Sequence, residues 1–356
     1  MKAAIISQGS VSSKLTKEAM ERYFDEVTAI DVKELEINIS GDDADILYKG
    51  EALGKYDCIY AKGSYRFSQA LRSLSTILKG YSYMPVEPEA FTVAHDKLLT
   101  QLLLQTQGIP MPKTYISTTV DAARKILSNM NYPIILKFPQ GTHGKGVLFA
   151  DSYGSASSIL DALTALKQSF LIQEYVDTGS SDIRAFVVGD KVVASMVRKS
   201  AVGEQRSNVH MGGHAESINL DKKSQEIAVK AAKATGAEIC GVDILPGPKG
   251  PLVIETNISP SVQGITKYSG VDVANEIAKH LYERTKSFVS VRKEKHKKEI
   301  MEELNNTGNL ITNLDFKASR IILPEIATNY SKITSDDQVE LKMEKGKISI
   351  SKLDIN

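Results

Sequence analysis

The sequence predicts an α/β (α+β) protein of several lobes that ends in a small β module, and three observations predict it. Short apolar runs alternate with a helical pattern near the start, two glycine-turned hairpins occupy the middle, and residues 311–356 alternate apolar and polar positions. At 356 residues the chain exceeds the ~100–200 of an ordinary domain, so two or three lobes are expected.

The elements follow in order. Lys2–Ser7 and Tyr56–Ala61 are apolar runs with a helical pattern over 13–24 between them, which reads as a Rossmann-like α/β lobe with a parallel sheet over residues 1–90. Leu98, Leu99, Leu102 and Leu103 set a helix over 95–107, stopped by Gly108-Ile-Pro110. Strands over 133–138 and 147–150 flank the glycine-rich QGTHGKG, and with a helix over 156–168 and a strand over 170–175 they make a lid of about 110–175 within a domain of 91–288. Residues 182–188 and 191–198 form a hairpin around Gly189-Asp190, followed by RSNVHMGG at 206–213 and a helix over 222–235. A second hairpin, 238–245 and 252–257, turns on PGPKG. The run RKEKHKKEIMEELNN reads as a charged helical linker over 289–310, and the β module of 311–356 holds no helix of note. No internal repeat or low-complexity tract interrupts this order.

The totals exclude some functions. Forty-four Lys and Arg against 43 Asp and Glu leave +1, so no global field draws the protein to nucleic acid or to a membrane surface. Cys58 and Cys240 sit inside apolar runs, which reads as buried thiols in a reducing compartment rather than a disulfide framework. No apolar stretch reaches the ~18 residues of a membrane span, and the start lacks a leader's cleavage pattern, so a cytoplasmic protein without membrane partners is expected.

The most informative chemistry lies in GVDILPGPKGPLVIETN. Residues two apart on a strand share a face, so Glu255 and Asn257 point the same way. A turn centred on Pro248 places Asp243 opposite Val253, diagonal to Glu255. Two carboxylates and an amide then converge, and like charges that close need a cation; hard oxygen donors suit Mg²⁺, with Mn²⁺ as the alternative. A polar strand face open to solvent is the plainer reading of the same residues.

The segment KFPQGTHGKG sets Lys137 at a strand end ahead of Gly141, Thr142, His143, Gly144, Lys145 and Gly146. Glycines let backbone N–H groups approach phosphate oxygens, although an ordinary hairpin turn has the same composition. No Gly-Lys-Ser/Thr opens a helix here, so this is not a Walker loop. Lys97, in HDK, is a second cation aimed at phosphates.

Taken in order, HDK, LKFPQGTHGKGV, IQEYV, DIRAFVVGD, RSNVHMGG, GVDIL and VIETNISPSVQGI resemble the RimK-like ATP-grasp ligases across roughly residues 1–288. The resemblance implies an ATP-grasp fold and an ADP-forming carboxylate–amine ligase that uses ATP and Mg²⁺. Its reaction would pass through an acyl phosphate and add glutamate or another amino acid to a protein tail, carrier protein or coenzyme. It implies that Lys97 and Lys137 hold ATP phosphates under the 141–146 loop, that Glu174 and Tyr175 meet adenine, and that Asp182 lies near the ribose. It further implies metal ligation by Asp243, Glu255 and Asn257, contact of Arg206 with the γ-phosphate, and substrate-side roles for Arg184 and Asn208. A plainer alternative for Arg184 and Arg206 is a structural ion pair with one of the acids. His210 and His214 lack a third soft ligand and are not read as a metal site. Two other functions stay open: an amino-acid biosynthesis ligase acting on an acidic amino-group carrier protein, and a nucleotide-responsive DNA-binding regulator.

Many of these ligases carry arginine at the position of Met211, so the departure bears on which amino acid or acceptor is recognised. The tail, SRIILPEIATNYSKITSDDQVELKMEKGKISISKL, is similar to the swapped-hairpin AbrB-type fold, which pairs two chains. That similarity implies a dimerising or substrate-docking role for the tail, and a homodimer or homotetramer. DNA binding, common in that fold, needs a basic face that this evenly charged tail does not show.

Overall fold

In the computed structural model of the chain, residues 1–41, 43–139, 146–199, 214–307, 315–317 and 320–353 are described. The first lobe runs β1 (Lys2–Ser7), α1 (Val11–Met20), β2 (Glu26–Asp31), β3 (Leu35–Ser40), β4 (Asp43–Tyr48), β5 (Glu51–Ala52), β6 (Cys58–Ala61), α2 (Ser68–Leu78) and α3 (Ala90–Val93). β1 pairs in parallel with both β2 and β6, and Ala3–Ile6 and Cys58–Ala61 are buried, as continuous apolar runs in a parallel sheet require. Parallel strands end on one edge, so the segments after Ser7 and after Ala61 emerge side by side there. The helix α1 begins earlier than the apolar pattern indicates because the Ser10 hydroxyl accepts the Ser13 N–H as its cap. A three-stranded antiparallel sheet, β3-β4-β5, was not expected; most of its residues are exposed, so its apolar signal is weak.

The next segment comprises α4 (Lys97–Thr106), β7 (Thr114–Tyr115), α5 (Val120–Ser128), β8 (Ile134–Lys137), β9 (Val147–Ala150), α6 (Tyr153–Ala165) and β10 (Leu171–Glu174). Its antiparallel sheet, β7-β10-β8-β9, packs Ile134, Leu136, Ala150 and Ile172 against Ala123, Leu127, Ala156, Leu160 and Leu163 of the two helices. This small separate core lets the glycine loop between β8 and β9 be carried by a plate of its own.

The central sheet is antiparallel throughout, in the order β13-β12-β11-β14-β15. It is built from β11 (Ser181–Val188), β12 (Lys191–Lys199), β13 (His214–Ser217), β14 (Ile239–Gly247) and β15 (Gly250–Asn257). The helix α7 (Lys222–Thr235) starts where Asp221 accepts the Ser224 N–H and stops at Gly236, whose φ of 77° is left-handed. It is followed by α8 (Val262–Ser269) and α9 (Val273–Thr307). The charged run expected as a separate linker from residue 289 is the later part of α9, which begins at Val273 on buried Val273, Ile277, Ala278 and Leu281.

The chain divides into two units, Met1–Thr285 and Lys286–Asn356. Beyond α9 the second unit holds β16 (Asp315–Lys317) paired with β17 (Arg320–Ile322), α10 (Glu325–Ser331), and β18 (Val339–Glu344) paired with β19 (Lys347–Lys352). The helix α10 corrects the expectation of a tail without one: Pro324 fixes the entry to its first turn and Lys332 closes it in a left-handed conformation. Among the described residues no helix is long and apolar enough to cross a membrane. Cys58 and Cys240 are free and buried, and burial pushes both thiols up to about 12, so neither is a ready nucleophile.

Candidate active site

A row of charged side chains crosses the central sheet. Asp182 and Arg184 lie two apart on β11, so they share a face; Arg198 lies opposite Asp182 on β12, and Asp243 lies opposite Arg184 on β14. Glu255 completes the row on β15. The expectation that Asp243 faces Val253 is corrected here: Asp243 pairs with Glu255, and Val253 pairs with Ile244. A bulge at this point places Ile254 as an extra residue on β15 and moves Glu255 from the diagonal to the direct position.

The contacts within the row are tight. Arg184 grips Asp243 with both arms of its fork, Nε to Oδ1 and Nη2 to Oδ2, the latter at 2.7 Å. Arg198 does the same to Asp182, with Nε to Oδ1 at 2.8 Å, and its Nη2 also lies 2.9 Å from Oδ2 of Asp243. Asp182 and Asp243 are nearly inaccessible, at 5% and 6% exposure. Burial alone would push both up; Arg184 and Arg198 hold Asp243 below the usual carboxylate range, whereas Asp182 remains raised despite Arg198. Glu255 is raised by burial and then by the charge of Asp243, against the opposing pull of Lys97, Arg184 and Lys137.

That list of cations locates the two expected lysines. Lys137 closes β8, and its ammonium donates to Oε1 of Gln173 at 2.7 Å; the Gln173 amide in turn donates to the Thr114 hydroxyl at 2.7 Å. Burial lowers the ammonium to about 8, against the attraction of Glu255. Lys97 is the first residue of α4, held there by Asp96, whose carboxylate accepts the N–H groups of Leu98 and Leu99. Its own backbone N–H donates to the Pro139 carbonyl at 2.9 Å, which fastens α4 to the start of the glycine loop. The far end is fastened by Phe138 N–H to Gly146 O at 3.0 Å. Gly146 has a φ of +78°, and a Cβ there would lie 2.2 Å from the Phe138 ring, so only glycine fits.

Glu174 and Tyr175 stand at the end of β10. The Glu174 carboxylate accepts the Lys113 N–H at 2.9 Å while its own N–H donates to Lys113 O at 2.9 Å, so the acid anchors the 113 segment. Tyr175 packs edge-on against Phe149 of β9, with ring centroids 5.4 Å apart. On β15 the Asn257 Oδ1 accepts the Ser259 N–H at 2.9 Å, which orients the amide.

The structure thus brings Lys97, Lys137, Arg184, Asp182, Asp243 and Glu255 into one electrostatic neighbourhood. Arg206, Asn208, Met211, His210 and the loop residues Gly141, Thr142, His143, Gly144 and Lys145 lie outside the described residues. His214 is on β13, exposed, beside Glu216 at 3.3 Å. Sequence reasoning missed Arg198 and Gln173. Gln173 sits in IQEY on the face shared with Leu171, which pairs with Lys137, so the two-residue strand period would have found it once the pairing was known.

Among the described residues no three His, Cys, Asp or Glu side chains cluster to hold a metal. The donor set is instead two facing carboxylates and an oriented amide. Asp243 already accepts three guanidinium N–H contacts, which leaves about one of its four lone-pair sites, and Glu255 is the carboxyl that a cation would relieve most. Hard oxygen donors in this number fit a magnesium ion, which completes its shell with water and substrate phosphates.

Residues 94–281 match the RimK-like ATP-grasp domain. The chain is 38% identical over 295 residues to a protein of Pseudoalteromonas atlantica named probable alpha-L-glutamate ligase 2, covering 80% of this chain and 97% of that one. A probable alpha-L-glutamate ligase of a Marinomonas species is also 38% identical, over 303 residues, covering 83% and 100%. Among solved structures, the ATP-grasp ligase PsnB with a minimal precursor, Mg and ADP superposes with a TM-score of 0.62 at 18% identity, over 80% of this chain and 98% of that one. A RimK domain ATP-grasp protein of Sphaerobacter thermophilus gives 0.61 at 18% identity, over 79% and 99%.

Proposed function

The chain belongs to the RimK-like ATP-grasp family and is an ADP-forming ligase of carbon–nitrogen bonds, and from that premise we propose that it joins glutamate to a carboxylate-ended acceptor. The observation that carries the reading is the meeting of Lys97, Lys137 and the Asp243–Glu255 pair, cations for phosphates beside oxygen donors for magnesium, in one neighbourhood.

A carboxylate is a poor electrophile. In the proposed reaction an acceptor oxygen takes the γ-phosphoryl group of ATP, giving an acyl phosphate and ADP. The amine of glutamate then attacks the acyl carbon, phosphate leaves, and the amine gives up a proton, so acid, amine and ATP become amide, ADP and phosphate. The work asked of the protein is positioning and charge neutralisation. Lys97 and Lys137 would hold phosphates beneath residues 141–146, with Glu174 and Tyr175 at the adenine and Asp182 toward the ribose. Magnesium, held by Asp243, Glu255 and Asn257, would neutralise phosphate charge. Arg184 keeps Asp243 ionised for that task. Arg206 and Asn208 are assigned to the γ-phosphate and the reacting carbon by their motif, and Met211 to substrate choice. Protein tail, carrier protein and coenzyme are all acceptors this chemistry serves. ADP release that rises with glutamate and an acceptor tests the reading, together with a product heavier by one or more glutamyl units.

A second role is proposed for the tail. On β18 and β19, Leu341 faces Ile350 and Met343 faces Ile348, and all four are 37–76% exposed on one face of a two-stranded hairpin. Among the described residues nothing covers this face, and the AbrB-like pattern favours a second copy of this module as its covering layer, making a homodimer or larger homo-oligomer. The even charge of the tail weighs against DNA.

A further inference from the structure

Lys62 is buried to 4% exposure immediately beyond β6, and no acidic side chain among the described residues pairs with it. Its ammonium has three donors and one long contact, 3.4 Å to the Pro260 carbonyl, with the Tyr60 ring 5.6 Å away. Tyr60, two residues earlier, carries a buried hydroxyl with no hydrogen-bond partner among the described residues. A buried cation with so little compensation is costly, and burial lowers it to about 8.

Its surroundings are positive as well. The helices α1 and α8 begin at this corner and are bound to each other there: the Ser12 hydroxyl meets that of Ser261 at 3.0 Å and accepts the Val262 N–H at 3.2 Å. Neither helix has an acid in its first turn. Ser12 and Ser10 each take only one N–H of these two helix ends, so the positive ends of both helices and a buried ammonium favour negative charge at this corner.

The corner adjoins the active site through short links. Gly63 N–H donates to the Ser259 hydroxyl at 3.0 Å, and Ser259 N–H donates to Asn257. A Cβ on Gly241 would lie 3.2 Å from both Pro260 Cβ and Arg184 Cδ, so the residue that touches Lys62 also packs beside the cation that grips Asp243. The corner is therefore joined by two hydrogen bonds to Asn257 and by packing to Arg184, at the border of the candidate site.

We propose that Lys62, with the N-termini of α1 and α8, binds a carboxylate of the amino-acid substrate that remains free in the product. The inference rests on the ligase reading above and specifies which group selects the substrate.

The test uses the full-length protein with ATP, magnesium, glutamate and an acceptor preparation, reading ADP release. Lys62→Met is expected to raise the KM for glutamate on the order of tenfold to a hundredfold, with the KM for ATP unchanged, and Lys62→Arg to restore part of the loss. The unfolding midpoint of Lys62→Met should not fall, because methionine fills the space without an uncompensated charge. In the wild type, glutamine and isoglutamine, each with one carboxylate made a neutral amide, should reveal one that is used far less well than glutamate; Lys62→Met should not discriminate against it further. An unchanged KM for glutamate with a lowered midpoint, or equal use of both amides and glutamate by the wild type, overturns the inference alone. Wild-type ADP release that no amino acid stimulates overturns the ligase reading, and this inference with it.

Discussion

Asp243 and Glu255 face each other directly across β14 and β15, two carboxylates in a largely buried row whose compensation on the Asp243 side comes, among the described residues, from Arg184 and Arg198. Repulsion between them is what raises Glu255 beyond the effect of burial. The arrangement is stable only because cations surround it, which makes each of those cations testable.

Arg198 bridges Asp182 and Asp243. Its replacement by methionine leaves two buried carboxylates with less compensation, and unfolding in urea at pH 7 should show a loss of about 3–5 kcal/mol. Arg198→Lys should recover only part, since an ammonium cannot make the paired contact with Asp182.

Gly146 closes the glycine loop in a conformation that alanine enters at a cost of about 1–2 kcal/mol, before displacement of the Phe138 ring. Gly146→Ala should therefore lower the melting temperature modestly and raise the KM for ATP, whereas a KM equal to the wild type would show that the loop end does not shape the nucleotide site.

Glu238 ties the start of β14 to Tyr83, His280 and Arg284. Burial would raise its carboxyl, but hydrogen bonds from His280, Arg284 and Tyr83 outweigh it and hold it at about 2 against an ordinary 4.5. The folded value is depressed, so its contribution is full above about 4.5 and is lost as pH falls toward about 2. Glu238→Gln should cost about 1–3 kcal/mol at pH 7, allowing for partial exposure, and the gap between variant and wild type should narrow steadily in acid.

The apolar face of β18 and β19 is expected to be covered by a second copy. Sedimentation of full-length Met343→Glu should show a smaller assembly than the wild type at equal concentration; identical profiles would remove the hairpin from the interface.

Regular elements with strong apolar contrast were legible in the sequence: β1, β9 and α7 begin and end where the pattern places them. Register was not. Counting back from the two-residue turn at Gly189-Asp190 sets Val197 opposite Asp182, but an irregularity between Phe186 and Val187 moves the pairing by one and brings Arg198 there. The same kind of one-residue shift at Ile254 hid the direct Asp243–Glu255 pairing. Bulges carry no fixed residue signature, so the ion-pair row became visible only with the strands in place. Lys97 and Lys137 were legible by type and motif, whereas Gln173, which positions Lys137, depends on a pairing between β8 and β10 that lie far apart in sequence.

The central claim is that this cluster drives an ADP-forming ligation. The most direct measurement is ADP release with ATP, magnesium, glutamate and acceptor, for the wild type against Glu255→Gln, with folding of both checked by circular dichroism. The account predicts glutamate-dependent ADP release and a heavier product from the wild type, and neither from a folded Glu255→Gln. Wild-type rates in that variant would contradict it.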